Sequence, residues 1–225
     1  MSDDESCADE PRRDDPRPED PRREHPNPAC SADGVEWPVE LAGVTESVVT
    51  TLGPNGRWNV AALGLFEGDP VTATTWGATR TRRNFERESE GYVQFSTDPV
   101  VFVDAALSTV ERDEPIVPAA DAWVRVRVSS VDSGIDGGTS WERWALQPID
   151  RSVRGERVAT IDRGLGAVVE ASVVASRLGV PGYDDDELRE RLRWARSIVD
   201  SAGGAREREA FERLLDYADI EDGDL

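Results

Sequence analysis

The clearest pattern in the chain is a series of short apolar segments separated by turn residues. Val44–Leu52, Trp58–Phe66 and Val71–Trp76 are rich in β-branched and aromatic side chains, which is typical of strands. Between them lie residues 53–56 (GPNG) and 67–70 (EGDP), both strong turn signals. Three strands joined by such tight turns predict an antiparallel meander.

The next stretch mixes helical and strand patterns. After a break at Gly77, residues 79–88 have a helical composition and residues 91–95 alternate as a strand does. Residues 100–107 are predicted to form a short helix. Residues 111–121 are acidic and contain two prolines, so we expect a surface loop there.

Residues 122–131 alternate apolar and polar side chains, with three valines facing one way and Arg125 and Arg127 the other. We interpret the arginines as the wet face of an edge strand, with a ligand-facing stripe as the alternative. A glycine turn at 133–138 and a returning strand at 139–146 complete a hairpin. About six antiparallel strands interrupted by one helix predict a small closed or half-closed barrel.

From residue 163 the pattern becomes helical, with helices predicted at 165–178, 187–201 and Ala205–Tyr217. Their apolar faces need a partner, either the barrel or the same region of a second subunit. Three consecutive aspartates at 184–186 fit a helix N-terminus better than a metal site. Glu170 is a candidate buried carboxylate, although a rim position fits equally well.

The expected fold class is therefore mainly β with a helical appendage (α+β): a split β-barrel over residues 37–155 and a three-helix region over 156–220. Residues 1–36 hold 12 acidic and 5 basic residues and many prolines, so we predict a disordered tail. A solvating extension fits this tail better than a recruitment segment, and a translation start near Val35 is a third option.

The formal net charge is −20, with 46 acidic residues, 26 basic ones and no lysine. This balance argues against sequence-independent nucleic-acid binding. It fits a cytoplasm of very high salt, of the haloarchaeal kind, where repulsion is screened. No apolar run is long enough to cross a bilayer and no secretory signal is visible, so we expect a cytoplasmic protein that does not act at a membrane.

Both cysteines, Cys7 and Cys30, and the only histidine, His25, lie in the tail. Their spacing matches no zinc or redox motif, and we expect no metal site. The folded part therefore lacks a serine–histidine triad, a cysteine nucleophile and a histidine-ligated metal. Any chemistry falls to carboxylates or to a bound cofactor, and the sequence identifies no catalytic residue.

Residues 74–81 (TTWGATRT) form the junction between a predicted strand and a predicted helix. A helix N-terminus leaves N–H groups unpaired and carries partial positive charge, so it suits a phosphate. The junction adds Arg80 and four hydroxyls, those of Thr74, Thr75, Thr79 and Thr81. The alternative is that Thr79 is an ordinary N-cap and that the arginines at 80, 82, 83 and 87 form a solvated face.

Four segments carry a family resemblance: residues 50–64 (TTLGPNGRWNVAALG), 75–85 (TWGATRTRRNF), 92–107 (YVQFSTDPVVFVDAAL) and 163–178 (RGLGAVVEASVVASRL). In order and spacing they resemble archaeal proteins of domain-of-unknown-function family 447. Those proteins are similar to FMN-binding split barrels of the flavin reductase and pyridoxamine-phosphate oxidase groups. The family commonly has a proline near Leu63, where this chain departs from the pattern.

The resemblance implies that the phosphate and the flavin ring of FMN are bound by different groups of residues. The phosphate would meet Thr79, Arg80 and Thr81, with Asn84 fixing the loop. One face of the flavin ring would lie along a strand of small residues, which are Asn59, Ala61, Ala62 and Gly64. The other side of the ring would be lined by a second strand, with Thr74, Thr75 and Trp76. For Trp76 a core or dimer-interface position is the alternative, and for Asn59 a bond to its own backbone.

The resemblance also implies a homodimer that holds the flavin between subunits. The leading hypothesis is a flavin reductase-like oxidoreductase that uses FMN and receives electrons from a donor such as NAD(P)H. The alternatives are a non-catalytic FMN-binding or storage protein, a dimeric adaptor whose C-terminal helices bind another protein, and a barrel that has lost its flavin.

Overall fold

The computed structural model describes residues 34–221 and 225, so the predicted disordered tail lies outside the described residues except for its last three. The strands in this part of the chain are β1 Val44–Leu52, β2 Trp58–Phe66, β3 Val71–Trp76, β4 Glu90–Phe95, β5 Val110–Arg112, β6 Ala122–Asp136 and β7 Thr139–Val153. The helices are α1 Arg80–Glu88, α2 Pro99–Leu107, α3 Arg163–Ala175, α4 Asp185–Ala202 and α5 Ala205–Tyr217.

Six strands close into an antiparallel barrel in the order β1-β4-β6-β7-β3-β2, and β2 pairs back onto β1 along its whole length. The predicted barrel and the β1–β2 hairpin are confirmed. The predicted antiparallel meander is also confirmed, since β2 pairs antiparallel with β1 and with β3, although β3 shares just two residue pairs with β2 and six with β7. Beyond this short pairing, the other end of β2 pairs with β5.

Strand β6 lies inside the sheet, between β4 and β7, so the prediction of an edge strand was wrong. The alternation itself is confirmed, since its three valines are buried. Arg125 and Arg127 lie on the outer face, and Arg125 donates to the Glu90 carboxylate of β4. The ion pair with Glu90 on the neighbouring strand, and not exposure at a sheet edge, explains why an arginine occupies position 125.

The β6–β7 hairpin is longer than the pattern predicted. Its turn is only Gly137-Gly138, and both glycines have positive φ, which a two-residue hairpin turn requires. Residues 133–136, predicted as turn, belong to β6, and β7 continues past the predicted end at residue 146 to Val153. Beyond Val128 strand β6 is largely exposed, so the sequence loses the alternation that marks a half-buried strand.

Residues 111–121 are more than the predicted surface loop. They begin within β5, which pairs with β2, and Val117 and Ala120 are buried in a small cluster with Ala105 of α2. The acidic and proline-rich composition predicted an exposed loop, but a part of this segment packs against α2.

Helix α1 plugs one end of the barrel. Phe85 is fully buried in the barrel core, with its ring centroid 5.4 Å from that of Trp144. Gly91 makes this possible, because a Cβ there would lie 3.0 Å from the Phe85 ring and 3.1 Å from the Thr50 carbonyl oxygen. Packing of Phe85 therefore fixes α1 against β1 and β4.

The three C-terminal helices share one core with α2, through Val100 and Val103. Helix α2 therefore provides a partner for the apolar faces that the sequence left uncovered. Asp184 caps α4 and accepts from the backbone N–H groups of Asp186 and Glu187, which confirms the helix-start interpretation. The side chain of Glu170 is 64% exposed, so it occupies the rim and is not a buried carboxylate.

Candidate functional site

A cavity of about 370 Å³ lies between one face of α1, the β1–β2 turn and strand β5. Its volume is at the lower end of ordinary ligand pockets, which span roughly 300–1,000 Å³. Its polar lining is three guanidinium groups, three amides and one carboxylate: Arg80, Arg83, Arg87, Asn55, Asn59, Asn84 and Glu111. We call it the α1 cavity.

The three arginines lie on one face of α1, because positions 80, 83 and 87 are spaced by three and four residues. They face a single carboxylate in a chain whose net charge is −20. The helix begins at Arg80, so its positive end lies beside the same cavity. The α1 cavity therefore gathers positive charge on an otherwise acidic chain.

Arg82 points away from this cavity. Its Nε lies 3.0 Å from a carboxylate oxygen of Glu86 and 3.0 Å from one of Glu142, and its side chain is only 21% exposed. Its Nη1 also donates to Ser140 Oγ at 3.2 Å. The alternative of one solvated face for the four arginines therefore fails for Arg82, which holds α1 to β7, while Arg80, Arg83 and Arg87 are exposed and line the cavity.

The predicted threonines serve different purposes. Thr79 is the N-cap of α1 and accepts from the Arg82 N–H at 3.2 Å. Thr81 is buried and accepts from Asn59 Nδ2 at 3.4 Å, which joins the helix to β2 directly under the cavity. The N-cap alternative holds for Thr79, while Thr81 and Asn59 form the floor between helix and strand.

Asn84 fixes α1 to β1. Its Nδ2 donates to Thr51 Oγ1 at 2.9 Å and to the Thr51 carbonyl at 3.4 Å, and its Oδ1 accepts from Arg87 at 3.1 Å. Arg87 in turn donates to the Leu52 carbonyl. This chain of bonds holds one cavity arginine in place.

The other threonines and Trp76 lie elsewhere. Thr75 is buried and accepts from Trp144 Nε1 at 2.9 Å, whereas Thr74 is half-buried on the opposite face of β3. Trp76 is 49% exposed and lines a second cavity of about 650 Å³, between the β6–β7 tip and the loop after α3. The core alternative for Trp76 is wrong, and its side chain is separate from the α1 cavity.

The small residues of β2 form no cavity wall with the arginines beyond Asn59. Ala61, Ala62 and Gly64 are half-buried. A Cβ at Gly64 would lie 3.2 Å from Val44 Cγ1, so β1 already covers that side of the glycine. Beside it, burial raises the pKa of Glu46, and the charge of the Glu170 carboxylate raises it further.

Sequence reasoning missed Asn55 and Glu111 as cavity residues. Asn55 belongs to the turn after β1, and Glu111 to the segment predicted as a loop. From the sequence, Arg83 and Arg87 were identified only as surface residues. Their spacing of three and seven residues from Arg80 places all three arginines on one face of a helix, and this was visible in the sequence. No comparable sequence signal pointed to Glu111.

The described residues contain neither a cluster of metal-ligating side chains nor a helix able to span a membrane. Across residues 34–221 no group of three or more His, Cys, Asp or Glu side chains is placed to hold a metal ion. No helix in the same part of the chain has the length and apolar composition needed to span a bilayer.

A closed six-stranded barrel plugged by a helix and followed by a helical cluster is a split β-barrel with a helical C-terminal part. Two family models match the chain: "Protein of unknown function (DUF447) N-terminal domain" over residues 45–155 and "Protein of unknown function (DUF447)" over residues 162–216. Together they span most of the sequence, and the chain belongs to the DUF447 family.

Three solved structures are similar to this chain to different degrees, and one of them, with a TM-score of 0.66, shows the same fold. The crystal structure of an FMN-bound DUF447 protein from Methanosarcina mazei matches with a TM-score of 0.66 and 21% identity, over 78% of this chain and 95% of that one. A flavin reductase, HpaC, in complex with NADP⁺ matches with a TM-score of 0.37 and 16% identity, over 51% and 81%. An FMN-binding protein from Thermus thermophilus matches with a TM-score of 0.36 and 14% identity, over 56% and 82%.

Proposed function

We propose that this chain is an FMN-binding flavoprotein and that the FMN phosphate binds in the α1 cavity. The observation that carries the proposal is the cavity itself, where Arg80 at the N-terminus of α1 is joined by Arg83 and Arg87 along the same helix in a strongly acidic chain. The FMN-bound relative from Methanosarcina mazei, of the same family and fold, supports the choice of FMN.

The donors present fit a phosphate monoester. Arginine guanidinium groups bind phosphate oxygens in pairs, and the N–H groups of the first helical turn add further donors. Thr79 and Thr81 belong to the same turn, and Asn59 and Asn84 hold it against the barrel. We assign the phosphate to Arg80 and the N–H groups of this turn, with the threonines and asparagines keeping the turn in shape.

We place the flavin ring along β2, near Ala61, Ala62 and Gly64, with Thr74, Thr75 and Trp76 on the far side. A single protomer leaves these residues half-buried or only partly covered, apart from Thr75. A second protomer would complete the enclosure of the ring, so we propose a homodimer. Light scattering of the purified protein tests this, and a mass near 24.7 kDa, that of one chain, would contradict it.

For the activity we propose a flavin-dependent oxidoreductase in a high-salt cytoplasm, with NAD(P)H as a candidate electron donor. Bound FMN supplies the redox chemistry, and the chain binds and orients it. A non-catalytic FMN carrier is the second candidate, since the sequence has no histidine or cysteine after Cys30 to assist a reaction.

The absorbance spectrum of protein purified in high salt tests the proposal. We expect a yellow protein whose chromophore is released on denaturation with the mass of FMN, and bleaching by NADH or NADPH without oxygen. Colour that no nicotinamide donor bleaches favours the carrier. A colourless protein that also fails to take up added FMN would contradict FMN binding altogether.

A further inference from the structure

The α1 cavity already contains an anion supplied by the chain. The carboxylate of Glu111 uses both oxygens, with Oε1 2.9 Å from Arg80 Nη1 and Oε2 3.1 Å from Asn55 Nδ2. Arg80 is the residue to which the proposed function assigns the phosphate. The carboxylate therefore occupies donors that a phosphate in this cavity would use.

Backbone contacts hold Glu111 in this position. Strand β5 pairs with β2 so that Glu111 lies opposite Asn59, and the Glu111 carbonyl accepts from Arg57 Nη2 at 3.1 Å. Asn55 is fixed in turn, because its Oδ1 accepts from the Arg57 N–H at 3.1 Å. The side chain of Glu111 remains 28% exposed, so its carboxylate has solvent into which it can rotate.

We propose that Glu111 is a tethered competitor for the anion donors of the α1 cavity and sets the cavity's selectivity for phosphate. This inference rests on the proposed function. A partly exposed arginine–carboxylate pair is weak, whereas a phosphate monoester carries up to two charges and three acceptor oxygens. A phosphate can therefore displace the carboxylate, while a monovalent anion such as chloride competes poorly with a group held at high local concentration.

The Glu111→Gln variant tests this with two probes, FMN and riboflavin, which share the ring and differ in the phosphate. Removing the competing charge should lower the Kd for FMN by about 5- to 20-fold and leave the Kd for riboflavin within about 2-fold. Quenching of flavin fluorescence on titration with flavin-free protein measures both. Glu111→Ala should change the FMN Kd in the same direction.

Asp113→Asn is the matched control. Asp113 lies two residues along the chain, pairs with Arg57 at 3.3 Å and does not line the cavity. Its removal changes the net charge by the same amount, and we expect less than about a 2-fold change in FMN affinity. If Glu111→Gln binds FMN no more tightly than the parent, or if Asp113→Asn gains as much, Glu111 is not a competitor.

A second arm separates this inference from the proposed function. Inorganic phosphate, added at constant ionic strength with KCl, should raise the thermal unfolding midpoint of Glu111→Gln more than that of the parent. This comparison is decisive even when neither protein binds FMN, an outcome that would refute the FMN assignment alone. Equal phosphate shifts in the two proteins would overturn the role of Glu111.

Discussion

At the scale of single residues, Gln94 shows how one amide holds the segment behind the candidate site. Gln94 is fully buried on β4, and its Oε1 accepts from the Val117 N–H at 2.7 Å. Its Nε2 donates to Thr50 Oγ1 and to the Pro115 carbonyl, both at 3.1 Å. These bonds fasten the segment that follows β5 to the barrel, and β5 carries Glu111.

Gln94→Leu should destabilise the protein by about 2–4 kcal/mol, because the substitution leaves the Val117 N–H and the Pro115 carbonyl buried with fewer partners. Denaturant unfolding followed by circular dichroism measures the free energy of unfolding. Gln147→Leu, at an exposed position of β7, is the control and should cost less than about 0.5 kcal/mol. Equal losses in the two variants would show that the buried amide contributes nothing special.

The contacts and burial of individual side chains were the hardest features to predict from the sequence. The pattern placed Thr79 and Thr81 at a helix start, and that position is confirmed. It did not reveal that Thr81 bonds Asn59, since this contact depends on the register between α1 and β2. Glutamine is usually exposed, so nothing in the sequence marked Gln94 as buried.

At the scale of elements, α2 connects the barrel to the C-terminal helices. Its N-cap Asp98 forms a two-pronged ion pair with Arg206 of α5, at 2.8 and 3.1 Å. Further along the same two helices, Asp104 accepts from Arg213 at 3.0 Å and from Tyr217 at 2.8 Å. Because α2 lies in the barrel segment of the chain, these contacts tie the two halves of the sequence together.

Burial by itself raises the pKa of Asp98, but hydrogen bonds from Arg206 and from the Val100 N–H outweigh it, so the pKa lies below its ordinary value. A lowered pKa in the folded state means that ionised Asp98 stabilises the fold above the unfolded value of about 3.9. This contribution is lost as the pH falls through the lower, folded value.

Asp98→Asn keeps a good N-cap residue and removes the charge. We expect it to lower the free energy of unfolding at pH 7 and to show a smaller loss relative to the parent near pH 3, as the parent's own carboxylate becomes protonated. Urea unfolding at the two pH values measures the difference. A gap between the parent and the variant that stays constant with pH would contradict the lowered pKa.

The elements themselves were largely predictable, because β3 and α5 each bury a regular face that the sequence displays, and β1 and β2 are β-branched or apolar segments bounded by turn residues. The pairing between elements was not. The three-residue β5 is too short to show an alternation, and the outward arginines of β6 look alike on an edge strand and an interior one.

At the scale of the whole molecule, the dominant quantity is the net charge of −20. Repulsion among so many carboxylates opposes the compact state, and its range falls from about 10 Å at 0.1 M salt to about 3 Å at 1 M. Arginines pair with some of these acids across elements, as Arg82 does with Glu142. The remaining repulsion should make stability depend strongly on salt.

The thermal unfolding midpoint should rise by on the order of 10 °C between 0.1 M and 2 M KCl. Sucrose at matched osmolality is the control, since it stabilises folded proteins without screening charge. A midpoint that does not rise with KCl, or that rises as much with sucrose, would contradict charge repulsion as the cause.

The barrel was predictable from the sequence, because closing the sheet leaves so many short strands without exposed edges. The helical appendage was predictable from the change to a helical pattern after residue 163. The α1 cavity was only partly predictable from the sequence. Its helix start was predictable from Arg80 and the threonines, whereas Asn55 and Glu111 reach it through turns and pairings far apart in the chain.

The most direct test of the account is the FMN affinity of the double variant Arg80→Ala/Thr81→Ala. We expect its Kd for FMN to rise at least about 30-fold with the Kd for riboflavin unchanged, because the loss falls on the phosphate. Arg127→Ala, which removes the same charge from the exposed outer face of β6, is the control and should keep the parent's FMN affinity. A double variant that is folded and binds FMN as tightly as the parent would contradict the assignment of the phosphate to α1.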